Sequence, residues 1–266
     1  MFESYKNFGV LEGQRSTDWA GGTIPYEVRN PSGDWESHLP LEEWQLIDGV
    51  DLMACVTFAE LSSCETQVKQ QTGQQINFSD RFTATMSGTT QQGNWLWKVG
   101  DSIRKDGLVL ESDWPVVRPL QWTTYYTPPT IEVVNKGKVS LEQYSTNYEF
   151  IDFTKESLIY HLKHAPIIVI IPGHAILNFK TTEQIIKYFD SYSPFIKETQ
   201  SVSSAMKLVL TVKQKVMNDV EVRKLYRLAF YREPDAGELA FWTGRSLAEF
   251  LTVALKDRAE FLSSPL

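Results

Sequence analysis

The sequence predicts an α+β fold, with helices in the first part of the chain and most strands in the second. From residue 51 to residue 73, apolar or small side chains recur at three- and four-residue spacing, which is typical of one buried helix face. Ile167–Ile171 is β-branched throughout, which favours a buried strand. With 266 residues, 42% of them hydrophobic, the chain can bury one large core and a smaller additional unit.

Composition argues against two classes of partner. A net charge of −7 and a pI near 5.2 disfavour nucleic acid, because phosphate contacts need clustered Lys and Arg. The sequence contains no apolar run close to the roughly 18 residues of a membrane span. The first residues lack the basic and apolar regions of a secretory signal. We therefore expect a soluble protein of a reducing compartment, without a signal peptide.

The predicted helix at 51–73 has recognisable ends. Asp51 is expected to cap it by accepting from the free N–H groups of its first turn, and Gly73 is expected to end it with a positive φ. Cys55 then lies in the first turn, where the helix dipole favours a thiolate. The alternative is a small core residue, which is what most free cysteines are.

The remaining elements before the sheet are less regular. Residues 1–40 are rich in Gly and Pro and predict an extended lead-in. A second helix is expected from Asn94 to Asp106, and a third begins with Thr154 as its cap and ends before Pro166. Residues 116–147 predict irregular structure with short strands.

Most strands are expected after the third helix, and two polar residues interrupt them. The predicted strands are 167–171, 175–179, 185–189 and 205–212. His174 follows a Pro172-Gly173 break between two apolar strands, which makes it a candidate functional group, although satisfied core histidines also occur there. Asp190 follows the third strand, and taken alone it is typical of a solvated turn.

The cysteines and the paired histidines do not form a metal-binding pattern. Cys55 and Cys64 have the spacing of neither a CxxC knuckle nor a disulfide framework. His161 and His164 fall at the end of a predicted helix, where cations are favourable, and no third ligand is close in sequence. We therefore expect neither a metal nor a cofactor.

Cys55, His174 and Asp190, in this chain order, resemble the nucleophile, base and orienting residue of papain-like cysteine peptidases. The resemblance covers roughly residues 44–212. Five segments carry it in the order of the family: 55–59 resembles Cys-Trp-Ala-Phe, 93–97 the Gly-Gly segment before a helix, 107–115 Gly-Ile/Val…Glu…Tyr-Pro, 165–175 the strand into Asp/Gly-His-Ala, and 189–192 Asn-Ser-Trp. It implies a two-lobed papain-like fold, with Cys55 on a helical lobe and His174 on a β lobe.

The resemblance also implies a role for each residue. Cys55 would attack the substrate, His174 would activate it and later protonate the leaving amine, and Asp190 would hold the imidazole in place of the more usual Asn. A peptide or protein substrate would lie extended in the groove between the lobes. Gly93 and Asn94 would form one wall of that groove, with Gly173 and Tyr192 beside it.

The oxyanion donor departs from the family pattern. The family has a glutamine six residues before the cysteine, and that position is Gly49 here; Gln45 lies four residues further back. A turn through Asp48 and Gly49 would return the Gln45 amide to the same point. Asp51 cannot replace it while ionised, because a carboxylate only accepts hydrogen bonds. We therefore expect Gln45 to face the groove beside Cys55.

Other departures concern origin and activity. Met53-Ala54 replaces the Gly-Ser of the family, Val56 replaces its Trp, and no inhibitory propeptide is expected because the lead-in lacks helical periodicity. Relatives of this shortened, disulfide-free kind resemble those of bacteria and their phages, which implies a cytoplasmic or virion-associated protein. Amidases and acyl transferases share the same triad. The alternative is a catalytically inactive papain-fold binding or structural protein, associated with a virion or a surface.

The C-terminal part predicts a separate unit. We place the domain boundary between residues 1–214, the peptidase domain, and residues 215–266. The Arg232…Pro234-Asp235 segment and the later Trp242 resemble a small helical module of bacterial secreted and surface proteins. Amphipathic helices are expected at 220–231 and 236–261, with a break near Gly244. Their predicted core is Leu225, Phe230, Trp242 and Phe261. The resemblance implies docking to a surface or a larger assembly.

Overall fold

The computed structural model describes residues 9–11, 27–213, 218–230, 232–247 and 249–253. The chain divides into two compact units, Met1–Val212 and Lys213–Leu266. The first unit combines helices with a six-stranded sheet, as an α+β fold requires. The second unit contains helices in its described part.

The structure describes six α-helices in the first unit. They are α1 Cys55–Thr72, α2 Asp80–Met86, α3 Leu96–Asp106, α4 Trp122–Tyr125, α5 Ile131–Gln143 and α6 Lys155–His161. From residue 27 to residue 35 the lead-in has no helix or strand, but it is not simply extended, because it turns at Pro31-Ser32 with Gly33 at φ 67°; a short 3-10 turn follows at Glu36–His38. Among the described helices, none is both long and apolar enough to cross a bilayer.

The strands form one large sheet and two small pairs. They are β1 Val10–Leu11, β2 Leu46–Ile47, β3 Val50–Asp51, β4 Asn94–Trp95, β5 Tyr144–Ile151, β6 Ile167–Ile171, β7 His174–Thr181, β8 Ile186–Phe189, β9 Ile196–Thr199 and β10 Ser204–Val212. The large sheet has the order β5-β10-β6-β7-β8-β9, and all of its pairs are antiparallel. The four strands predicted at 167–171, 175–179, 185–189 and 205–212 are all present in it.

The first core lies between α1 and one face of the large sheet. Cys55, Val56 and Leu61 of α1 are buried with Ile168 and Ala175 of the sheet. A second core covers the opposite face, where Trp35 and α6 pack on β6 and β7. The indole N–H of Trp35 donates to the carbonyl oxygen of Leu162 at 2.7 Å, which fixes the lead-in to this face. The sheet thus holds the start of α1 against β7.

The start of α1 differs from the prediction. The helix begins at Cys55, and its cap position is Ala54, which has no side chain able to accept a hydrogen bond. Asp51 is instead extended, because β3 pairs with β2, and its carboxylate accepts the Met53 N–H at 3.0 Å. The predicted end is confirmed, since Gly73 has φ 72° and closes the helix.

The sequence patterns missed α2 and α5. Each has a side-chain cap: Ser79 accepts from the Phe82 N–H, and Thr130 accepts from the Val133 N–H. In α5 the signal is weakened by Gly137, which a sequence pattern treats as a helix breaker. A Cβ at Gly137 would lie 2.5 Å from the Asp106 carbonyl oxygen, so this glycine permits a close backbone contact. The prediction of irregular structure with short strands over 116–147 is therefore wrong at the helices α4 and α5.

The second unit is built from α7 Asp219–Phe230 and α8 Ala236–Trp242, with further helical residues at 249–253. Its buried core contains Val222, Tyr226, Trp242 and Phe250, with Leu225, Phe230 and Leu239 partly buried against it. The predicted helix at 236–261 stops at Trp242, close to Gly244, whose φ is 82°. The predicted core residue Phe261 lies outside the described residues.

Candidate active site

Helix α1 and strand β7 bring Cys55 next to His174. Cys55 is the first residue of α1, and its Sγ accepts the Ala175 N–H at 3.4 Å. His174 directly precedes Ala175 and opens β7, after the turn in which Gly173 has φ 72°. The sulfur thus contacts the backbone of the residue that follows His174 in the chain.

His174 is held by Asp190. Its Nε2 lies 2.7 Å from the Asp190 Oδ1, and both residues are buried. The other ring nitrogen, Nδ1, is therefore directed away from the carboxylate. Asp190 follows β8, and its Oδ1 also accepts the Tyr192 N–H at 3.2 Å. The solvated turn that Asp190 suggests in isolation is not what the structure shows.

Lys197 completes the surroundings of Asp190. Its Nζ donates to the Asp190 Oδ2 at 2.7 Å. Burial alone would raise the pKa of Asp190, but the hydrogen bonds and charges of His174 and Lys197 outweigh it and hold that pKa below its ordinary value. The carboxylate is therefore ionised over the physiological range. The sequence patterns missed Lys197, because β9 is short and half exposed and has no clear apolar alternation.

The thiol of Cys55 is neutral in this arrangement. Cys55 is fully buried, and burial raises the pKa of its thiol to about 12; the charges of Asp51 and Asp190 add to this, while the N–H groups of Ala175 and Val56 oppose it. The thiolate expected from the helix start is therefore not favoured in this form. Cys64 is also buried, and burial raises its pKa well above its ordinary value, as expected of a core thiol.

Gln45 reaches the site through a hairpin. The turn between β2 and β3 contains Asp48 and Gly49 with φ 52° and 79°, and Leu46 pairs with Asp51. The extra residues that separate this glutamine from the family position thus fold back on themselves. Gln45 is fully buried and does not face solvent.

The Gln45 amide has a defined orientation. Its Oε1 accepts from the Ser191 Oγ at 3.2 Å, and its Nε2 donates to the Asp51 Oδ1 at 2.9 Å. Its backbone N–H donates to the Ser191 carbonyl oxygen at 3.1 Å. Gln45 therefore joins the segment before α1 to the loop that follows Asp190.

Tyr192 closes the other side of the imidazole. Its ring lies edge-on to the His174 ring, with centroids 5.4 Å apart. Its hydroxyl donates to the Asp51 Oδ2 at 2.8 Å. Burial, and next the hydrogen bond to Asp51, raise the pKa of Tyr192. The sequence placed Tyr192 beside the substrate but did not identify its contact with Asp51, which no local pattern signals.

The predicted wall at Gly93 and Asn94 is covered by residues 9–11. The Asn94 N–H donates to the Gly9 carbonyl oxygen at 2.9 Å, and β1 pairs with β4 in parallel. A Cβ on Gly93 would lie 2.0 Å from the Gly9 oxygen, and a Cβ on Gly9 would lie 2.1 Å from the Met53 oxygen. The lead-in was not expected to cover the groove, yet it contributes a segment between this wall and the residues before Cys55.

Asn94 takes part through its backbone. Its side-chain Nδ2 donates to Ser87 and Thr89, at 2.9 Å to the Ser87 Oγ and 3.0 Å to the Thr89 Oγ1. The side chain is buried in its own loop, so it stabilises the wall and does not face a substrate. The predicted contact of Asn94 with a substrate can therefore involve only its main chain.

The paired histidines have structural partners. His161 Nδ1 lies 3.3 Å from the Lys207 Nζ, and burial, followed by the Lys207 charge, lowers the pKa of His161 to about 4. His164 Nδ1 lies 2.9 Å from the Glu27 carbonyl oxygen. Within the described ranges, no group of three or more His, Cys, Asp or Glu side chains is arranged to hold a metal.

Solved structures with a similar fold include cysteine proteases. Xylellain, a cysteine protease from Xylella fastidiosa, matches with a TM-score of 0.60 and 13% identity, over 78% of this chain and 97% of xylellain. Digestive procathepsin L 3 from the Tenebrio molitor larval midgut matches with a TM-score of 0.52 and 15% identity, over 76% of each chain. The bromelain protease from Ananas comosus, in complex with the E64 inhibitor, matches with a TM-score of 0.52 and 13% identity, over 68% of this chain and 98% of that one.

The chain therefore has the papain-like α+β fold that its sequence predicts. No protein-family model matches it, and no curated protein matches its sequence. At identities of 13–15% the structural similarity establishes the fold and not the activity.

Proposed function

We propose that this protein is a cysteine peptidase that cleaves peptide bonds through Cys55, His174 and Asp190. The observation that carries the proposal is the buried hydrogen bond of 2.7 Å between His174 and Asp190, with the Cys55 sulfur on the N–H of Ala175, the residue that follows His174. Among the common triads, this order of thiol, imidazole and carboxylate is the one that activates a cysteine nucleophile.

The reaction begins with transfer of the Cys55 proton to His174. The thiolate attacks the carbonyl carbon of the peptide bond, and the negative charge moves to the carbonyl oxygen. When the tetrahedral intermediate collapses, His174 gives its proton to the leaving amine, and a thioester remains on Cys55. Water then attacks the thioester with His174 as general base, which releases the acid and restores the thiol.

The carbonyl oxygen needs donors positioned before the reaction. The Cys55 N–H, at the start of α1, is one such donor. The Gln45 side chain is the second donor in this proposal, because the β2–β3 hairpin returns its amide beside Asp51, four residues before Cys55. Loss of one donor of this kind typically costs about 10²–10³ in kcat.

The carboxylate of Asp190 orients His174 and stabilises its protonated form. A carboxylate raises the proton affinity of an imidazole more than a neutral amide does. This favours the thiolate–imidazolium pair, although the Asp190 charge acting directly on the thiol adds to the raised pKa of Cys55. The Lys197 charge on the other carboxylate oxygen limits that effect.

A peptide or protein substrate would take the place of residues 9–11. The backbone of Gly93 and Asn94 already binds an extended segment there. Gly173 is at the turn before His174, and Tyr192 packs on its ring, so both border the same space. Binding therefore requires the lead-in to move away, which also exposes Cys55.

The alternative is a papain-fold protein that binds without cleaving. The neutral, fully buried thiol of Cys55, with its pKa raised to about 12, favours it. Amidase and acyl-transferase activities would use the same three residues and differ in the acceptor.

We extend the proposal to a bacterial or phage source, in which the unit Lys213–Leu266 docks the enzyme to a surface or an assembly. Removal of residues 213–266 should then abolish that attachment and leave kcat for peptide cleavage unchanged.

The test is labelling of the full chain with E64, the inhibitor present in the bromelain structure. We expect one E64 per chain on Cys55, with loss of turnover of a fluorogenic peptide library in proportion to labelling. Cys55→Ser should remove both labelling and turnover. Cys64→Ser is the matched control and should retain both, because Cys64 is a buried core residue. Labelling of Cys55 without turnover of any peptide would favour the binding protein.

A further inference from the structure

The carboxylate of Asp51 receives three hydrogen bonds from three different parts of the site. Its Oδ1 accepts from the Gln45 Nε2 at 2.9 Å and from the Met53 N–H at 3.0 Å. Its Oδ2 accepts from the Tyr192 hydroxyl at 2.8 Å. An ionised carboxylate has only acceptors, so three converging donors match its chemistry. Asp51 is half-buried, which strengthens each of these bonds relative to water.

The three donors belong to groups that surround Cys55. Gln45 is the second oxyanion donor in the proposed function. Tyr192 packs edge-on to the His174 ring at 5.4 Å. Met53 precedes Cys55 by two residues and has φ 52°, a conformation that residues other than glycine seldom adopt.

We propose that Asp51 is a positioning residue for acyl transfer at Cys55, which orients the Gln45 amide and fixes the Tyr192 ring against His174. The inference rests on the proposed function and adds to it a residue that the papain-like pattern does not assign. It explains how the glutamine displaced to position 45 is held, since its amide is bound at both ends.

The orientation of the Gln45 amide is the central point. A glutamine amide can present either its oxygen or its N–H₂ to a neighbour, and the two are similar in shape. Because Asp51 only accepts and the Ser191 Oγ donates to the Gln45 Oε1 at 3.2 Å, the N–H₂ must lie on the Asp51 side. The direction of both amide N–H groups is then set. The reversed amide would present its oxygen to the oxyanion and repel it.

The contacts also predict how substitutions differ. Asn at position 51 keeps an oxygen for Gln45 and Met53, and its N–H₂ can donate to the Tyr192 oxygen. Ala at position 51 removes all three contacts. The two variants therefore separate loss of charge from loss of position.

The experiment measures kcat and KM of the full chain on a fluorogenic peptide, per active site titrated with E64. We expect Asp51→Ala to lower kcat by about 10–100-fold with KM changed less than about threefold, because oxyanion stabilisation acts in the transition state. Asp51→Asn should restore kcat to within about fivefold of wild type. Tyr126→Phe is the matched control, because it removes a hydroxyl that donates to the Leu52 oxygen at 2.6 Å, outside the Gln45–Tyr192 network.

Two kinetic results would overturn the inference. One is an Asp51→Ala protein that is folded and has kcat within threefold of wild type. The other is an Asp51→Asn protein as slow as Asp51→Ala, which would assign the effect to charge and not to position. A decrease in kcat for Tyr126→Phe equal to that for Asp51→Ala would show a general loosening of the segment, and would also count against it.

A second measurement keeps the inference separate from the proposed function. A wild-type protein that cleaves no peptide refutes the peptidase but leaves the Asp51 contacts to be tested. For that case, the thermal unfolding midpoints of Asp51→Ala, Tyr192→Phe and the double variant are compared. If the double variant is as stable as the less stable of the two single variants, the second change removes no further interaction. That result supports the contact between these side chains. Additive shifts would overturn it, whatever the activity.

Discussion

Met53, like Asp48, is a non-glycine residue with a left-handed backbone conformation. It has φ 52° beside the nucleophile, at the position where papain-like peptidases have glycine. The left-handed conformation costs an L-residue about 1–2 kcal/mol, and the hydrogen bond from the Met53 N–H to Asp51 compensates for part of that cost. The strain is therefore tolerated because the contacts around Asp51 hold the segment.

We predict that Met53→Gly is at least as stable as wild type. Glycine relieves the strain of about 1–2 kcal/mol and costs about 0.5–1 kcal/mol in additional unfolded-state entropy. Met53→Val should lose about 1 kcal/mol or more, because a β-branched residue fits a positive φ poorly. Urea unfolding of the three proteins measures the difference. A Met53→Gly protein less stable than Met53→Val would show that side-chain packing, and not backbone strain, dominates at this position.

A group of buried carboxyls gives the stability a pH dependence. Burial, and next the Glu43 charge, raise the pKa of Asp80 well above its ordinary value. Burial also raises the pKa of Glu43, Glu65 and Glu111 in the same region. An unfolded Asp titrates near 4, so between that value and the higher native pKa the folded chain binds more protons than the unfolded chain. The contribution of these carboxyls to stability is therefore full at acidic pH and falls as the pH rises through this window.

We predict that Asp80→Asn reduces this loss. Each unit by which the native pKa exceeds the unfolded value contributes about 1.4 kcal/mol to the loss. The change in unfolding free energy between pH 5 and pH 8, measured in urea, should be smaller for Asp80→Asn than for wild type. Asp152→Asn, at an exposed position, is the control and should leave it unchanged. An identical pH dependence in Asp80→Asn and wild type would contradict a protonated Asp80.

At the scale of elements, predictability followed the strength of the local pattern. Ile167–Ile171 was predicted correctly because its β-branched, fully apolar run matches a central strand on both faces. Helix α5 was not, because Gly137 interrupts its pattern for a reason that lies elsewhere in the fold, namely contact with the Asp106 backbone. The Asp51 cap was wrong because pairing of β3 with β2 competes with helix extension. Long-range contacts of this kind leave no local signal in the sequence.

The site shows the same division. His174 and Asp190 were identified from segments whose order matches a known family, and the return of Gln45 followed from the turn residues Asp48 and Gly49. The hydrogen bonds of Asp51 with Tyr192 and of Lys197 with Asp190 depend on which loops the sheet brings together. They could not be predicted from spacing in the sequence.

We predict that Gly137→Ala destabilises the protein, although alanine is the better helix former. Propensity alone would favour alanine by about 1 kcal/mol. A Cβ would approach the Asp106 carbonyl oxygen to 2.5 Å, so backbone must shift, at a cost of about 1–3 kcal/mol. Gly237→Ala in α8 is the contrasting helical glycine, with a nearest neighbour at 3.3 Å, and should not lose stability. Thermal unfolding decides; a more stable Gly137→Ala protein would show that the α5 contact is loose.

At the scale of the whole molecule, residues 9–11 of the lead-in contact the segments around the candidate active site. Val10 is buried in the same core as Cys55, and Gly9 lies between Met53 and Gly93. We predict that Gly9→Val displaces this segment, because its Cβ would lie 2.1 Å from the Met53 oxygen. Alkylation of Cys55 by iodoacetamide at pH 8 should become about tenfold faster, which corresponds to a loss of about 1.4 kcal/mol in segment binding.

Gly88→Val is the control for that variant. Gly88 has φ 75° and no atom within 4 Å of its Cβ position, so it introduces similar backbone strain without a collision. Alkylation of Cys55 in Gly88→Val should match wild type. An unchanged alkylation rate in a folded Gly9→Val protein would show that residues 9–11 do not limit access to the thiol.

A substrate that takes the place of residues 9–11, as proposed, would compete with a segment of the same molecule. A segment of the same polypeptide competes at an effective concentration that does not depend on the enzyme concentration. Dilution does not weaken this competitor, whereas it does weaken an inhibitor on a separate chain. Under the proposed function, the segment therefore raises the apparent Kd of every peptide by the same factor at any enzyme concentration, and a peptide reaches Cys55 by binding more tightly or by being more concentrated.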